Sequence, residues 1–249
     1  MSGKTILLGF CLMISFSCIS QKQTSYTEQV WLGYVNQTRF SNKLGLWVDF
    51  HLRTRQNFFS NFSQAVGRVG LAYYLNNNTV FAAGYAYFNH FPSDNHNISR
   101  PEHRLWQQVQ WNNKYSRVRF TQRVRLEERF QQKILNDNEL GEGYHFNWRG
   151  RYNFVAAFSL AKKAFAPKTW SVVLNDEIMF NAGREIVYNS FDQNRFFAGF
   201  AYHLNTHDNI QVGYMNIFKQ LAAGNKYKST HVARLFYFHN LDLRKNEKH

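Results

Sequence analysis

Between residues 117 and 130 the chain reads RVRFTQRVRLEERF, with charged and apolar positions alternating. Arg117, Arg119, Arg123, Arg125, Glu127 and Arg129 take the odd positions, and Thr121 is their neutral polar member. Val118, Phe120, Val124, Leu126 and Phe130 take the even positions, interrupted by Gln122 and Glu128. A period of two belongs to a β-strand, because a helix would repeat its apolar residues three and four apart. No soluble core requires one strand face to carry so many cations. A transmembrane barrel does, since its lumen is polar while its outer wall meets lipid. The pattern constrains location before it constrains activity.

The N-terminus agrees with that location. Lys4, an apolar run over residues 6–16 and small residues before Gln21 have the layout of a secretory signal peptide. Cleavage is expected after Ser20, which assigns residues 1–20 to the signal and 21–249 to one barrel domain in the outer membrane. The apolar run is too short to cross about 30 Å of hydrocarbon as an anchor helix. A lipoprotein cut before Cys18 is the alternative, but residues 15–17 (SFS) lack the expected upstream aliphatic residue. Cys11 and Cys18 both fall inside the signal, so the exported chain has no disulfide, thiolate metal site or cysteine nucleophile.

Aromatics make up 18% of the residues, with 24 Phe and 14 Tyr, yet the mean hydropathy is only −0.50. Alternating strands produce that combination. No stretch after the signal approaches 20 apolar residues, which excludes helical spans. The net charge of +14 raises a nucleic-acid reading. Against it, the cations are spread along alternating strand positions of an exported chain, so nucleic acid is not an expected partner. The expected partners are outer-membrane lipid and small anions.

Strands are expected at residues 30–40, 44–55, 64–75, 79–91, 102–111, 117–130, 143–160, 169–181, 193–204, 209–220 and 230–241. Short turns rich in Asn and Ser sit near positions 42, 77, 114 and 206, where Asn tolerates left-handed backbone. Longer polar stretches sit at 56–62, 92–101, 131–142, 183–192 and 221–229. Such asymmetry marks outer-membrane barrels, with short periplasmic turns and longer external loops. Eleven strands conflict with the even number usual in bacterial barrels. The fold class is therefore all-β, a single antiparallel transmembrane barrel of about 10–12 strands, its parity open.

Several segments together carry a family resemblance. They are WLGYVNQTRFSNKLGLWVD (31–49), RPEHRLWQQ (100–108), RLEERF (125–130), FDQNRFFAGFAYHLN (191–205) and GYMN (213–216). In that order, over nearly the full length, the chain resembles a Gram-negative outer-membrane β-barrel family known as domain-of-unknown-function family 2490. The resemblance implies a signal peptide and an outer-membrane barrel, and supplies no activity. The C-terminus departs from outer-membrane barrels generally, because the chain runs past Phe238 into a charged tail at 244–249 rather than ending on an aromatic.

If the apolar residues face lipid, a charged network faces the lumen. It comprises Asp49, His51, Arg53, Arg55, Glu102, Arg104, Arg119, Arg123, Arg125, Glu127, Arg129, Arg149, Arg151, Glu177 and Arg195, with Gln108 and Asn147 among them. Arg rows favour phosphate and carboxylate, which suits an anion path. The competing reading is an ion-pair network that simply fills a small barrel.

Other chemistry is poorly supported. A barrel hydrolase needs a Ser activated by a neighbouring His on one strand face. Only Ser229 and His231 come near this, in reversed order at a strand edge. His90, His96, His103 and Asp94 are too loosely spaced for a metal motif. The acidic loop of Asp137, Glu139 and Glu142 resembles ordinary solvated loops more than a calcium site. There is no Gly-rich phosphate cradle, and no catalytic residue, metal or cofactor is assigned. Trp111 and Trp170 lie beside short turns, as interface aromatics do. Trp106 falls on the polar face and is expected inside.

The leading expectation is a non-enzymatic outer-membrane barrel, either structural or a narrow anion-preferring channel. The alternatives are an outer-membrane lipid hydrolase or acyl-chain remodeller, and a soluble lipocalin-like calyx with an apolar interior.

Overall fold

The computed structural model describes residues 23–55, 61–93 and 97–244. The proposed signal at 1–20, both cysteines, Asp94 and His96 lie outside the described residues. The chain forms eleven strands: β1 (Gln23–Arg39), β2 (Leu44–Thr54), β3 (Phe62–Tyr74), β4 (Thr79–His90), β5 (Arg100–Lys114), β6 (Val118–Asn136), β7 (Glu139–Ser159), β8 (Thr169–Ala182), β9 (Phe191–His203), β10 (Asp208–Gln220) and β11 (Lys226–Asp242). All eleven expected strands are present, most of them extended by a few residues where polar ends continue the ladder.

The strands close into one barrel in which every neighbour pair is antiparallel except the last, where β1 runs parallel to β11. That seam settles the strand count. An odd number of strands closes only if one pair is parallel, so eleven replaces the even number that the general rule suggested. It also places the start of β1 at the long-loop end, with Gln23 opposite Lys226, while β11 finishes at the short-turn end.

Register gives the barrel's dimensions. From Arg39 the register partners run through Gly45, Ala72, Ala82, Gln108, Arg125, Arg151, Met179, Gln193, Lys219 and Lys228. They return to β1 at Ser25, a stagger of 14 residues (39 − 25). With ~3.3 Å per residue and ~4.8 Å between strands, that stagger tilts the strands by about 41° around a backbone radius of about 11 Å.

Alternation sorts the two faces. On β6, outward Val124 is 50% exposed while its neighbour Arg125 is 1% exposed. Outward Leu32, Val69, Leu105, Leu126, Leu174, Val212 and Leu235 continue an apolar belt. Aromatics border it at both ends. Towards the long loops, Phe62 contacts Phe91, Phe130 contacts Phe146, Phe180 contacts Phe191, and Phe218 stacks on Tyr227. Towards the short turns, Tyr115 contacts Phe120, and Trp170 contacts Tyr202 and Phe200. Phe120 and Phe130 stand ten residues apart (130 − 120) on β6. At the tilt above this is about 25 Å along the axis, the height of an outer-membrane apolar band. The wall therefore spans a membrane, and the soluble calyx, which needs the opposite polarity, is ruled out.

Arginine at Val124, midway between the two aromatic girdles, is expected to destabilise the barrel by about 2–4 kcal/mol. Val124→Leu should be neutral. Urea unfolding of protein refolded into lipid vesicles measures both, and equal stability of the two variants would contradict a lipid-facing wall.

Candidate functional site: the Arg-rich interior

The inward row of each strand supplies the interior. β2 contributes Asp49, His51 and Arg53, β5 Glu102 and Arg104, and β6 Arg119, Arg123, Arg125, Glu127 and Arg129. β7 adds Arg149 and Arg151, β8 Glu177 and β9 Arg195. Arg55 stands just past β2, its Nη1 donating to the Pro92 carbonyl at 3.2 Å. Arg119 is exposed at the short-turn mouth, its guanidinium 3.9 Å over the Phe165 ring.

Five carboxylates organise these cations. Glu102 is fully buried and accepts from Arg104 Nε at 2.7 Å, Arg129 Nε at 2.6 Å and Gln131 Nε2 at 3.0 Å, and meets His90 Nε2 at 2.8 Å. Glu127 accepts from Arg151 Nη1 at 2.6 Å and Arg104 Nη1 at 3.0 Å, with Arg125 at 3.6 Å. Glu177 takes Arg151 Nη2 at 2.7 Å and Arg123 Nη2 at 2.8 Å. Asp49 holds Arg68 Nη1 and His51 Nε2, each at 2.9 Å, and accepts from Trp47 Nε1 at 2.7 Å. Asp192 pairs with Arg149 Nη2 at 2.9 Å. Such shared, charge-assisted contacts fix guanidiniums contributed by the four strands β3, β5, β6 and β7.

Sequence reasoning missed several interior groups. Arg68 was legible by alternation with Gln64 and Val66 on β3. Asp192 was not, because it turns inward at a bulge where Met179 pairs Gln193 and Phe180 pairs Phe191. Arg234 lies among apolar residues on both faces of β11, so polarity gave no sign of its direction. The interior is also less uniformly polar than expected. One buried cluster holds Trp47, Val66, Phe88 and Trp106, and another Trp31, Phe197, Met215 and Val232. These rings carry the cations: Arg104 lies 3.5 Å over Phe88, Arg53 3.8 Å over Trp31 and Arg234 3.7 Å over Phe197.

Trp106, 1% exposed, packs inside the barrel against Trp47. It lies on Gly70 and Gly84, which face each other across β3 and β4. A Cβ on Gly70 would come within 2.4 Å of the Trp106 ring, and one on Gly84 within 2.1 Å of the Val69 carbonyl. Absent side chains thus create the ring's seat.

A cavity of about 800 Å³ runs through this interior. Asn112, Asn209 and Asn240 line it at the short-turn end, and Gln29, Ser63 and Gln131 at the long-loop end. Fourteen Lys and Arg side chains face it against two carboxylates, Asp49 and Glu177. Counting Glu102, Glu127 and Asp192 in the wall leaves nine formal positive charges in excess.

The remaining candidates do not assemble. Ser229 Oγ accepts from Asn216 Nδ2 at 2.9 Å and His231 Nδ1 meets the Tyr214 hydroxyl at 2.6 Å, so the two are not joined as nucleophile and base. Ser171 does meet His203 Nε2 at 3.0 Å, but Ser171 is fully buried and His203 has no carboxylate partner among the described residues. His90 points inward to Glu102, whereas His103 points outward to Tyr85.

A family model described as "Protein of unknown function (DUF2490)" matches residues 28–228. No curated protein matches the chain. A solved structure described as "NanC porin structure in rhombohedral crystal form" aligns at 13% identity with a TM-score of 0.45, over 76% of this chain and 87% of that one.

Proposed function

The chain belongs to the family described as protein of unknown function (DUF2490), and from that premise we propose that it is an outer-membrane channel for small anions. The observation that carries this reading is a cavity with lining residues at both mouths, fourteen of them cations against two carboxylates. Spread over ~30 Å of hydrocarbon, 800 Å³ open to the centres of water molecules corresponds to a path about three water molecules wide. Uncompensated charge along so narrow a path concentrates anions and raises the barrier for cations. The outer-membrane setting is supported by the closed wall, the apolar band between two aromatic girdles and the signal-like pattern of residues 1–20. Among the described residues, no serine–histidine–carboxylate arrangement supports the hydrolase alternative.

Arg119 offers a test with little risk to folding, because it is exposed at a mouth and pairs with no carboxylate among the described residues. Arg119→Glu replaces one excess positive charge with a negative one at the narrow entrance. It is expected to lower chloride flux into vesicles several-fold at low salt, and less at high salt as screening shortens its reach. Equal flux through both proteins would remove Arg119 from the path.

A further inference from the structure

We infer that Arg53, Arg195 and Arg234 form a binding site for a tetrahedral dianionic oxyanion of the phosphate type, centred on Trp31. This rests on reading the lumen as an anion path, and adds which of its cations hold a ligand. The interior guanidiniums fall into two sets, apart from Arg119 at the mouth and Arg125, which two bonds to Gln108 Oε1 hold beside Glu127 at 3.6 Å. Arg68, Arg104, Arg123, Arg129, Arg149 and Arg151 each lie 2.6–2.9 Å from a carboxylate. Among the described residues, Arg53 and Arg234 make no ion pair. Arg195 reaches Glu177 only at 3.6 Å, where that carboxylate already holds Arg151 and Arg123. The first set belongs to the wall. In the second set Arg53 and Arg234 have no carboxylate among the described residues, and Arg195 has only a shared one at 3.6 Å.

The fold brings the second set to one place. Arg53 on β2 and Arg234 on β11 are the register partners of Trp31 on β1. Arg53 lies 3.8 Å over the Trp31 ring, and Arg195 reaches the same ring from β9 at 5.0 Å. Arg234 lies 3.7 Å over the Phe197 ring and donates from Nη2 to Gln211 Oε1 at 2.7 Å. It is 8% exposed, and its Nε has no partner. The Nε of Arg53 is likewise buried and unpartnered, its Nη1 being bonded to Gln64. All three side chains line the cavity.

Arg53 and Arg195, both over the Trp31 ring, repel one another, and the buried Nε donors of Arg53 and Arg234 have lost their water without replacement. One anion relieves both. A tetrahedral dianion carries twice the charge of a carboxylate and four oxygens in place of two, enough to meet all three guanidiniums at once. Aromatic rings beneath the guanidiniums keep the forks in position before the ligand arrives.

The test is calorimetric titration of inorganic phosphate into the full chain refolded in detergent micelles. Saturable binding of one phosphate per barrel is expected, with Arg53→Gln, Arg195→Gln and Arg234→Gln each weakening it about tenfold or more. Arg119→Gln should bind as the parent does, and acetate should bind at least about tenfold more weakly than phosphate. The inference is overturned by the absence of saturable heat, by unchanged binding in the three variants, or by an equal loss in Arg119→Gln, which would indicate a diffuse field. Trp31→Phe provides a readout that leaves every charge in place: phosphate should change the parent's tryptophan fluorescence, and this change should vanish in the variant. A change that persists would misplace the site. An anion-selective barrel that does not bind phosphate removes the site and leaves the channel, while phosphate binding without anion preference does the reverse.

Discussion

Glu127→Ala is expected to destabilise the barrel by about 3–5 kcal/mol, the cost of removing one partner from a buried ion-pair cluster. Glu127 is 1% exposed and faces Arg151, Arg104 and Arg125. Among the described residues, Arg125 is then left with no carboxylate, Arg104 keeps only Glu102, and Arg151 keeps only Glu177. The interior already carries nine excess positive charges, so the loss adds repulsion where it is least screened. Glu127→Gln should recover the shape and part of the hydrogen bonding but not the charge, and so fall between alanine and the parent. Glu139→Gln, exposed at the start of β7, should stay within about 0.5 kcal/mol. Urea unfolding in vesicles reads the series. A parent-like Glu127→Ala would mean that the network contributes little to the wall.

Gly84→Val is expected to fail at an earlier step, in closing the β3 and β4 ladder. Its Cβ would lie 2.1 Å from the Val69 carbonyl oxygen and 2.4 Å from Gly70 Cα. Both are backbone atoms, so relief requires the strands to part, and the Trp106 seat is lost with them. The cost exceeds the ~1–3 kcal/mol of ordinary overpacking, where side chains can shift. Gly67→Ala is the control, because its added carbon would meet only the Phe50 ring at 3.6 Å. The yield of folded, heat-modifiable barrel after refolding should collapse for Gly84→Val and hold for Gly67→Ala. Equal yields would show that the glycine pair is incidental.

How much of this was legible in the chain differs between wall and lumen. The alternation at 117–130 gave β6, its inward cations and the polarity of the whole wall, because period-two patterning follows directly from strand geometry. Strand positions followed from the Asn-rich turns. Closure did not, since the parallel pairing of β1 with β11 depends on the 14-residue stagger summed over every strand. The charged row on β5 to β7 could be read for the same reason as β6. Arg234 and Trp31 could not, because aromatic residues occupy both faces of β1 and β11. Glycines facing each other across a ladder left no signal in either strand alone. The seat under Trp106 and the grouping of Arg53, Arg195 and Arg234 are thus tertiary features, invisible until the register is known.

The most direct test of the central claim is the reversal potential of single channels of the refolded protein in a planar bilayer under a potassium chloride gradient. Steady conductance steps are expected, with a reversal potential displaced towards the chloride equilibrium potential and moving back as Arg119 is reversed in charge. A folded barrel that conducts with no preference or with cation preference, or that stays silent, would contradict an anion path through this interior.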